Sequence, residues 1–402
     1  MRETLDELEQ WGTEVIFGRA RGFRATMMRI LLWSLSGIYR FGVAKRLGDY
    51  RNGKKSQQYL GTQVISIGNL TVGGTGKTPV VELFARTLWE RGRKPAILSR
   101  GYKSKKMKTP QEWTRRVGGE PIPADKMPKV VSDGGNPLID VKYAGDEPWM
   151  LAKNLPGVSV VVDKNRVKGG GFAVGELEAD ILILDDGLQY LDLAHSTDVV
   201  LVDQSAPFGT GQMLPRGTLR EPAKNLIRAD YIFITKCDGS SNEELIRKMR
   251  RHNKHADIIE CTHGPQHLEN IFTGEQLPLD FLAEKYVAAI SGIAVPESFE
   301  KILRKLGARV EFHRVFSDHH SFNQKEIDRF MNRCVERDIE LIITTEKDAV
   351  RFMKPTELDV PIYFLRIEVD ILEGQEVWKT LVERICGEKS VADPLLIREM
   401  AG

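Results

Sequence analysis

Six short runs of β-branched and aliphatic residues, separated by helical stretches, constrain this chain more than any other feature. They are QVISI (63–67), KPAILS (94–99), VSVVV (158–162), DILIL (180–184), DVVLV (198–202) and YIFIT (231–235). A strand with one wet face alternates apolar and polar residues; a strand covered on both faces does not. Between the first two runs lies VVELFARTLWERG (80–92), with apolar residues at helical spacing and Gly92 at its end. Strands alternating with helices predict a parallel sheet covered by helices. A second, smaller set begins near residue 286: YVAAISGI, PESFEKILRKLG, RVEFHRVF, QKEIDRFMNRCVERD, IELIITT and PIYFLRIEV. The expected fold class is α/β, with a helical segment over 1–50, a core over 51–240 and a smaller α/β domain over 241–402. The polar, Gly- and His-rich stretch around 236–285 reads as the boundary region, and 103–129 as an exposed basic loop.

The strongest chemical signal follows the first run: Gly68-Asn69-Leu70-Thr71-Val72-Gly73-Gly74-Thr75-Gly76-Lys77-Thr78-Pro79. A loop that leaves a strand and opens a helix is the setting of a phosphate loop. Residues 71–78 would wrap phosphate oxygens with backbone N–H groups, Lys77 would reach the β/γ-phosphates, and the Thr78 hydroxyl would bind Mg²⁺. The strict pattern has Gly where Thr71 stands, and Gly73 and Gly74 are expected to supply the flexibility. ILILDDGLQY places Asp185 and Asp186 after four aliphatic residues, and a strand-end acid is what Mg²⁺ beside a phosphate loop requires. The core is therefore expected to be a phosphate-loop NTPase core using a nucleoside triphosphate and Mg²⁺.

Charge restricts the partners. The chain has 402 residues, 58 basic against 56 acidic, for a net charge of +2. Bulk electrostatics gives no nucleic-acid binder, and no protein partner is inferable. Four cysteines at 237, 261, 334 and 386 form no CxxC, so neither a disulfide framework nor a zinc ribbon is expected. Cys261, His263 and His267 read as a polar loop. The N-terminus is uneven: residues 1–15 carry five acids and one base, and residues 16–60 carry ten bases and one acid. Within the basic stretch lies ILLWSLSGIY (30–39), about half the length of a spanning helix. As a helix it puts Met28, Leu31, Leu32, Leu35, Ile38, Tyr39 and Val43 on one face, and Arg29, Trp33, Ser36 and Arg40 on another. That composition fits a helix lying in a membrane interface as well as a helix packed on its own core.

Several further motifs stand in a fixed order with the glycine loop: SRGY (99–102), SDG (132–134), GDEP (145–148), DDGLQ (185–189), LPRGTLRE (214–221), SGIAxPxxF (291–299), FSDHHSF (316–322) and TTEKDAV (344–350). The set, covering roughly residues 25–370, resembles the tetraacyldisaccharide 4'-kinase family, the lipid A 4'-kinases of Gram-negative bacteria. The resemblance implies a phosphate-loop core joined to a smaller C-terminal α/β domain, with the active site in the cleft between them. It implies transfer of the γ-phosphoryl of ATP to the 4'-hydroxyl of a tetraacylated glucosamine disaccharide 1-phosphate. It further implies Asp146 as base, His319 as its orienting partner, and Arg100, Asp186, Gln189 and Glu221 as supporting residues. The basic N-terminal helix becomes an amphipathic membrane contact on the cytoplasmic face of the bacterial inner membrane. A carboxylate beside Mg²⁺-ATP is a weak base at neutral pH, and an adjacent His can share its proton. The family's His after DDG-aromatic-Gln is Tyr190 here, which cannot carry a proton near neutral pH.

A regulatory or metallochaperone-type phosphate-loop GTPase is the alternative, supported by Thr235-Lys236-Cys237-Asp238, a match to a guanine-reading [NT]KxD. A strand-to-loop turn explains those four residues equally well. A membrane scaffold with a dead nucleotide site is disfavoured by Lys77, Thr78 and Asp185 all being present.

Overall fold

The computed structural model describes residues 11–293, 296–317, 320, 322–353 and 355–387. Its strands, in chain order, are β1 (Gln63–Asn69), β2 (Pro95–Ser99), β3 (Lys129–Asp133), β4 (Ser159–Val162), β5 (Ile181–Asp185), β6 (Thr197–Asp203), β7 (Tyr231–Thr235), β8 (Asp257–Asn270), β9 (Gln276–Leu277), β10 (Tyr286–Ser291), β11 (Arg309–Val315), β12 (Leu341–Thr345) and β13 (Ile362–Glu373). The fold is mixed α/β with largely parallel strands, as the aliphatic runs predict. The chain forms two compact units, neither continuous in sequence: Met1–Leu98, Asn165–Thr262 and Ile371–Gly402 make the first, and Ser99–Lys164 with His263–Asp370 the second. This differs from the linear boundaries at 50/51 and 240/241. The chain leaves the first unit at the last residue of β2, returns before β5, leaves again within β8 and returns within β13, a pattern that composition does not mark.

In the first unit the strand order is β8-β7-β6-β1-β5-β2, every neighbouring pair parallel. Residues Ile181–Leu184 and Ile232–Ile234 are buried throughout, which is why those runs carry no polar alternation. The helix Lys77–Glu90 lies on this core. Its Phe84 meets Trp378 edge-on at 4.7 Å and Phe233 at 5.7 Å. A fully buried aromatic of this kind contributes on the order of 1.5–3 kcal/mol by area removed from water. In the second unit the order β11-β10-β12-β13 is again parallel, and β3 pairs antiparallel with β4. The helix Gln324–Val335 covers that unit's core with Ile327, Phe330, Met331 and Cys334, and starts on a capping box between Asn323 and Glu326.

One expectation is corrected here. The 236–285 stretch contains a unit boundary, between Thr262 and His263, but it also holds the long strand β8, so Cys261, His263 and His267 stand on a strand rather than a loop. Gly264 and Pro265 hide it from pattern reading. No cluster of three or more metal-ligating side chains occurs among the described residues. The four cysteines are free, and Cys237, Cys261 and Cys334 are buried.

The N-terminal helix spans Phe23–Arg51 and differs from the expected two-stripe pattern. Tyr39 and Val43 pack on the core cluster that holds Leu70, Leu188 and Met213, while Met28 and Leu32 pack on Val15, Ala20 and Ala25. Ser36, expected on the basic stripe, is buried: its hydroxyl donates to the Met213 carbonyl at 2.9 Å and accepts from the Arg216 N–H at 3.0 Å. Leu31, Leu35 and Ile38, expected on one face with Met28, Leu32, Tyr39 and Val43, are exposed together with Phe23, Met27, Ile30 and Phe41. At 100° per residue these exposed side chains lie roughly opposite the inward ones. The helix is apolar on two opposed faces. No helix among the described residues is long and apolar enough to cross a membrane.

Candidate active site

In the first unit β1 delivers the chain into the glycine-rich loop, and the loop into the helix Lys77–Glu90. Thr71, where the strict pattern has Gly, forms an antiparallel bridge with Leu219, an extended conformation any residue adopts. The turn falls later, on Gly73 (φ 114°) and Gly76 (φ 77°), both in the region that favours glycine. Val72, Gly73 and Gly74 are exposed, while Thr71 and Thr75 are buried. Gly76 caps the helix without a side chain, so the first N–H groups of that helix have no side-chain cap.

The loop is held from two sides. The Val72 N–H donates to the Thr218 carbonyl at 2.7 Å. From β7, the Thr235 hydroxyl donates to the Thr75 carbonyl at 2.9 Å, and Lys236 Nζ donates to the Gly74 carbonyl at 2.5 Å and to Asp203 at 2.6 Å. Burial pushes the Asp203 carboxyl up, but hydrogen bonds from Lys236 and Ser205 and the Lys236 charge outweigh it and hold the group below the usual carboxylate range. Thr235 and Lys236, two of the four residues that suggested guanine reading, are thus built into the loop's support.

A polar network stands beside the loop. Lys77 Nζ donates to Asn69 Oδ1 at 3.1 Å and pairs with Asp186 at 3.4 Å. Arg220 Nη1 donates to both Asp186 oxygens at 2.7 Å and to Gln189 Oε1 at 3.3 Å. Gln189 Nε2 donates to the Asn69 carbonyl and to Glu221, each at 3.1 Å. Glu221, buried, also accepts from Asn225 at 2.7 Å and from Arg228 at 2.8 Å through both oxygens. Burial pushes the Asp186 carboxyl up, yet Lys77 and Arg220 outweigh it and keep it low. Asp186 sits at φ 58°, a left-handed conformation that Asp tolerates better than most residues. Asp185, the last residue of β5, is buried and in register with Ile67 of β1. Thr78 is the second residue of the helix.

The structure thus brings together Lys77, Asp186, Gln189 and Glu221. It adds residues not singled out in the sequence: Asn69, Arg220, Arg228 and Arg46, whose guanidinium donates to the Gln189 carbonyl at 2.6 Å. Asn69 and Arg220 had a sequence signal, their places in the glycine-loop motif and in LPRGTLRE. Tyr190 is part of a helix start: its hydroxyl accepts from the Arg166 N–H at 3.0 Å and reaches Asn165, the cap of the helix Arg166–Glu176, at 3.3 Å.

Asp146 and Arg100 belong to the second unit. Arg100 is exposed just beyond β2. Asp146 opens the helix Asp146–Asn154, and its carboxylate lies 3.6 Å from Arg351 Nε. Asp318 and His319 lie outside the described residues. Their neighbour His320 is held by Glu326 at 2.9 Å and stacks on Phe316 at 4.5 Å.

Residues 28–386 match the family model described as tetraacyldisaccharide-1-P 4'-kinase. The chain is 36% identical over 360 residues to a protein named tetraacyldisaccharide 4'-kinase from Anaeromyxobacter sp. (strain Fw109-5), covering 89% of this chain and 91% of that one. It is 35% identical over 351 residues to one of the same name from Syntrophus aciditrophicus, covering 85% and 89%. A crystal structure of the "apo" form of LpxK from Aquifex aeolicus in complex with ATP superposes with a TM-score of 0.67 at 29% identity, over 89% of this chain and 99% of that one. On the family match, the relatives and the shared fold, the chain belongs to the tetraacyldisaccharide 4'-kinase family, ATP-dependent kinases of lipid A biosynthesis.

Proposed function

We propose that the family's reaction runs in this chain on the residues described above. The donor is ATP and the acceptor is the 4'-hydroxyl of a tetraacyldisaccharide 1-phosphate. The single observation that carries the assignment is the network of Lys77, Asp186, Arg220, Gln189 and Glu221 beside the glycine-rich loop. Residues 71–78 act as a phosphate loop: their N–H groups and the helix N-terminus hold the phosphates. Lys77 stands on the loop at the position that reaches the β/γ-phosphates, with Asp186 as its counter-charge until phosphate takes that place. Arg220 keeps Asp186 ionised and in place, and Gln189 and Glu221 hold Arg220 and the Asn69 turn.

Thr78 and Asp185 offer one hydroxyl and one carboxylate at adjacent element ends, a hard-oxygen pair of the kind Mg²⁺ takes when phosphates and water fill its remaining positions. Mg²⁺ bound there would neutralise charge on the phosphates. Asp146 is assigned as the base: it takes the proton of the acceptor hydroxyl as the new O–P bond forms and the bond from the γ-phosphorus to the ADP oxygen breaks. His319 is assigned as its partner, and Arg100 as a cation for the transferred group.

The acceptor's acyl chains belong in a bilayer, so the enzyme works at a membrane surface, on the cytoplasmic face of the bacterial inner membrane. The outward apolar face of Phe23–Arg51, bordered by basic residues, supports that contact. The experiment is transfer of label from γ-labelled ATP to the disaccharide 1-phosphate. Wild type labels the lipid, Lys77→Ala loses ATP binding and transfer, and Asp146→Ala lowers kcat by about 10²–10⁴ while ATP still binds. No labelled lipid from the wild-type protein refutes the proposal.

A further inference from the structure

Two motifs of the second unit remain without a part in this scheme, SGI at the end of β10 and TTEKDAV, and in FSDHH only His319 has one. One guanidinium ties them together. Arg351 follows the short helix Glu346–Ala349, and its side chain is only 6% exposed. Its Nη2 pairs with Asp348, which is wholly buried. Asp348 in turn accepts from the Gly292 N–H at 2.9 Å and from the Thr345 hydroxyl at 2.6 Å. Its Nη1 donates to the His320 carbonyl at 2.7 Å. Two edges of the fork are therefore fixed. The N–H on the third nitrogen, Nε, is buried and has no hydrogen-bond partner among the described residues. Across from it, at 3.6 Å, stands Asp146 Oδ2.

That distance is an ion-pair contact, too long for a hydrogen bond. A buried donor left unpaired is unfavourable, so the guanidinium attracts the carboxylate it faces. A planar fork anchored at two corners presents its third in a fixed direction, which an ammonium on a flexible stem cannot do. We propose that Arg351 is the positioning residue for Asp146. It draws one carboxylate oxygen toward Nε, and this sets the direction in which the other meets the acceptor hydroxyl. Gly292, His320 and Asp348 are then the anchors of that guanidinium. The inference rests on the reading of Asp146 as the base.

The test is a double-mutant cycle on the full chain, with kcat and both KM values taken from label transfer. Arg351→Gln lowers kcat on the order of tenfold to a hundredfold, because the carboxylate loses its direction. KM for ATP stays within about twofold, and Asp146→Asn with Arg351→Gln together is within about twofold of Asp146→Asn alone. Arg351→Lys keeps the charge facing Asp348 but not the fork, and shows the same split. It replaces Arg351→Gln in the cycle if the glutamine variant loses its cooperative thermal transition. Wild-type kcat in the Arg351 variants, with Asp146→Asn inactive, overturns the proposal and leaves the base intact. A double variant a further order of magnitude below Asp146→Asn overturns it too, because Arg351 then acts independently of Asp146. Wild-type turnover in Asp146→Asn removes the base assignment and the proposal with it.

Discussion

Glu221→Ala tests what holds the loop after β6 against the end of β1. Glu221 is 3% exposed and accepts from three side chains: Gln189, Asn225 and, through both oxygens, Arg228. Arg228 Nε already lacks a partner among the described residues, so removing the carboxylate strands a guanidinium that is only 20% exposed. Breaking one side of such a pair costs about 3–5 kcal/mol. For a unit of roughly 200 residues the melting temperature moves by about 2–4 °C per kcal/mol, which gives a fall of roughly 6–20 °C. Glu221→Gln keeps the shape and one acceptor oxygen, and should lose about half as much. Calorimetry or circular dichroism reads the shift, and label transfer reads the accompanying loss of kcat as Gln189 and Arg220 loosen. A fall under about 3 °C for Glu221→Ala refutes the claim that this buried pair carries the loop.

Serine at Phe23, Ile38 and Phe41 should weaken co-sedimentation with anionic vesicles at least about a hundredfold while hardly moving the melting temperature, since each exposed side chain would bury roughly 1.5–3 kcal/mol of apolar surface in lipid. Unchanged co-sedimentation would exclude that face as the membrane contact. Asp203→Asn should flatten the acid limb of stability. The native carboxyl is held low, so its contribution is full above its unfolded value near 3.9 and is lost as pH falls further, through the folded value. A stability profile below about pH 4 that is parallel to wild type would contradict this. Iodoacetamide at about pH 8 should modify Cys386 first, because burial pushes the Cys261 and Cys334 thiols up to about 12 and raises Cys237 as well. Early labelling of Cys261, followed by mass spectrometry, would show that β8 opens in the native protein.

The parallel strands β1, β2, β5, β6, β7, β10 and β12 were legible because burial on two faces writes a nearly unbroken aliphatic run. β3 and β8 were not. Lys129–Asp133 offers only Val130 and Val131 between polar ends, and β8 carries Thr262, His263, Gly264 and Pro265 in its middle. The discontinuous units leave no mark because three of the four crossings fall inside β2, β8 and β13, and the fourth in the short loop before the helix Arg166–Glu176. At the site, the glycine loop and DDG were readable because each is a contiguous run at the end of an aliphatic strand. Arg46 and Arg351 were not, because an arginine fork acts across distance in the chain: 143 residues separate Arg46 from Gln189. Arg228 lies only seven residues from Glu221 but just outside the motif that holds it. The N-terminal helix misled for a related reason. Helical spacing identifies apolar positions but cannot say which of two opposed faces meets the protein.

That opposition limits how the first unit can meet an apolar surface. Between Phe23 and Phe41 the rod runs about 27 Å. Its inner side is bolted down by the Ser36 hydroxyl, Tyr39 and Val43. A detachable arm could search for lipid while the body waited; a bolted rod cannot. Any encounter must bring the body down with it, like a keel fixed to its hull. The tilt of the glycine-rich loop above the surface is then set by the same few inward contacts, and loosening them would cost the reaction its aim before it cost the protein its grip.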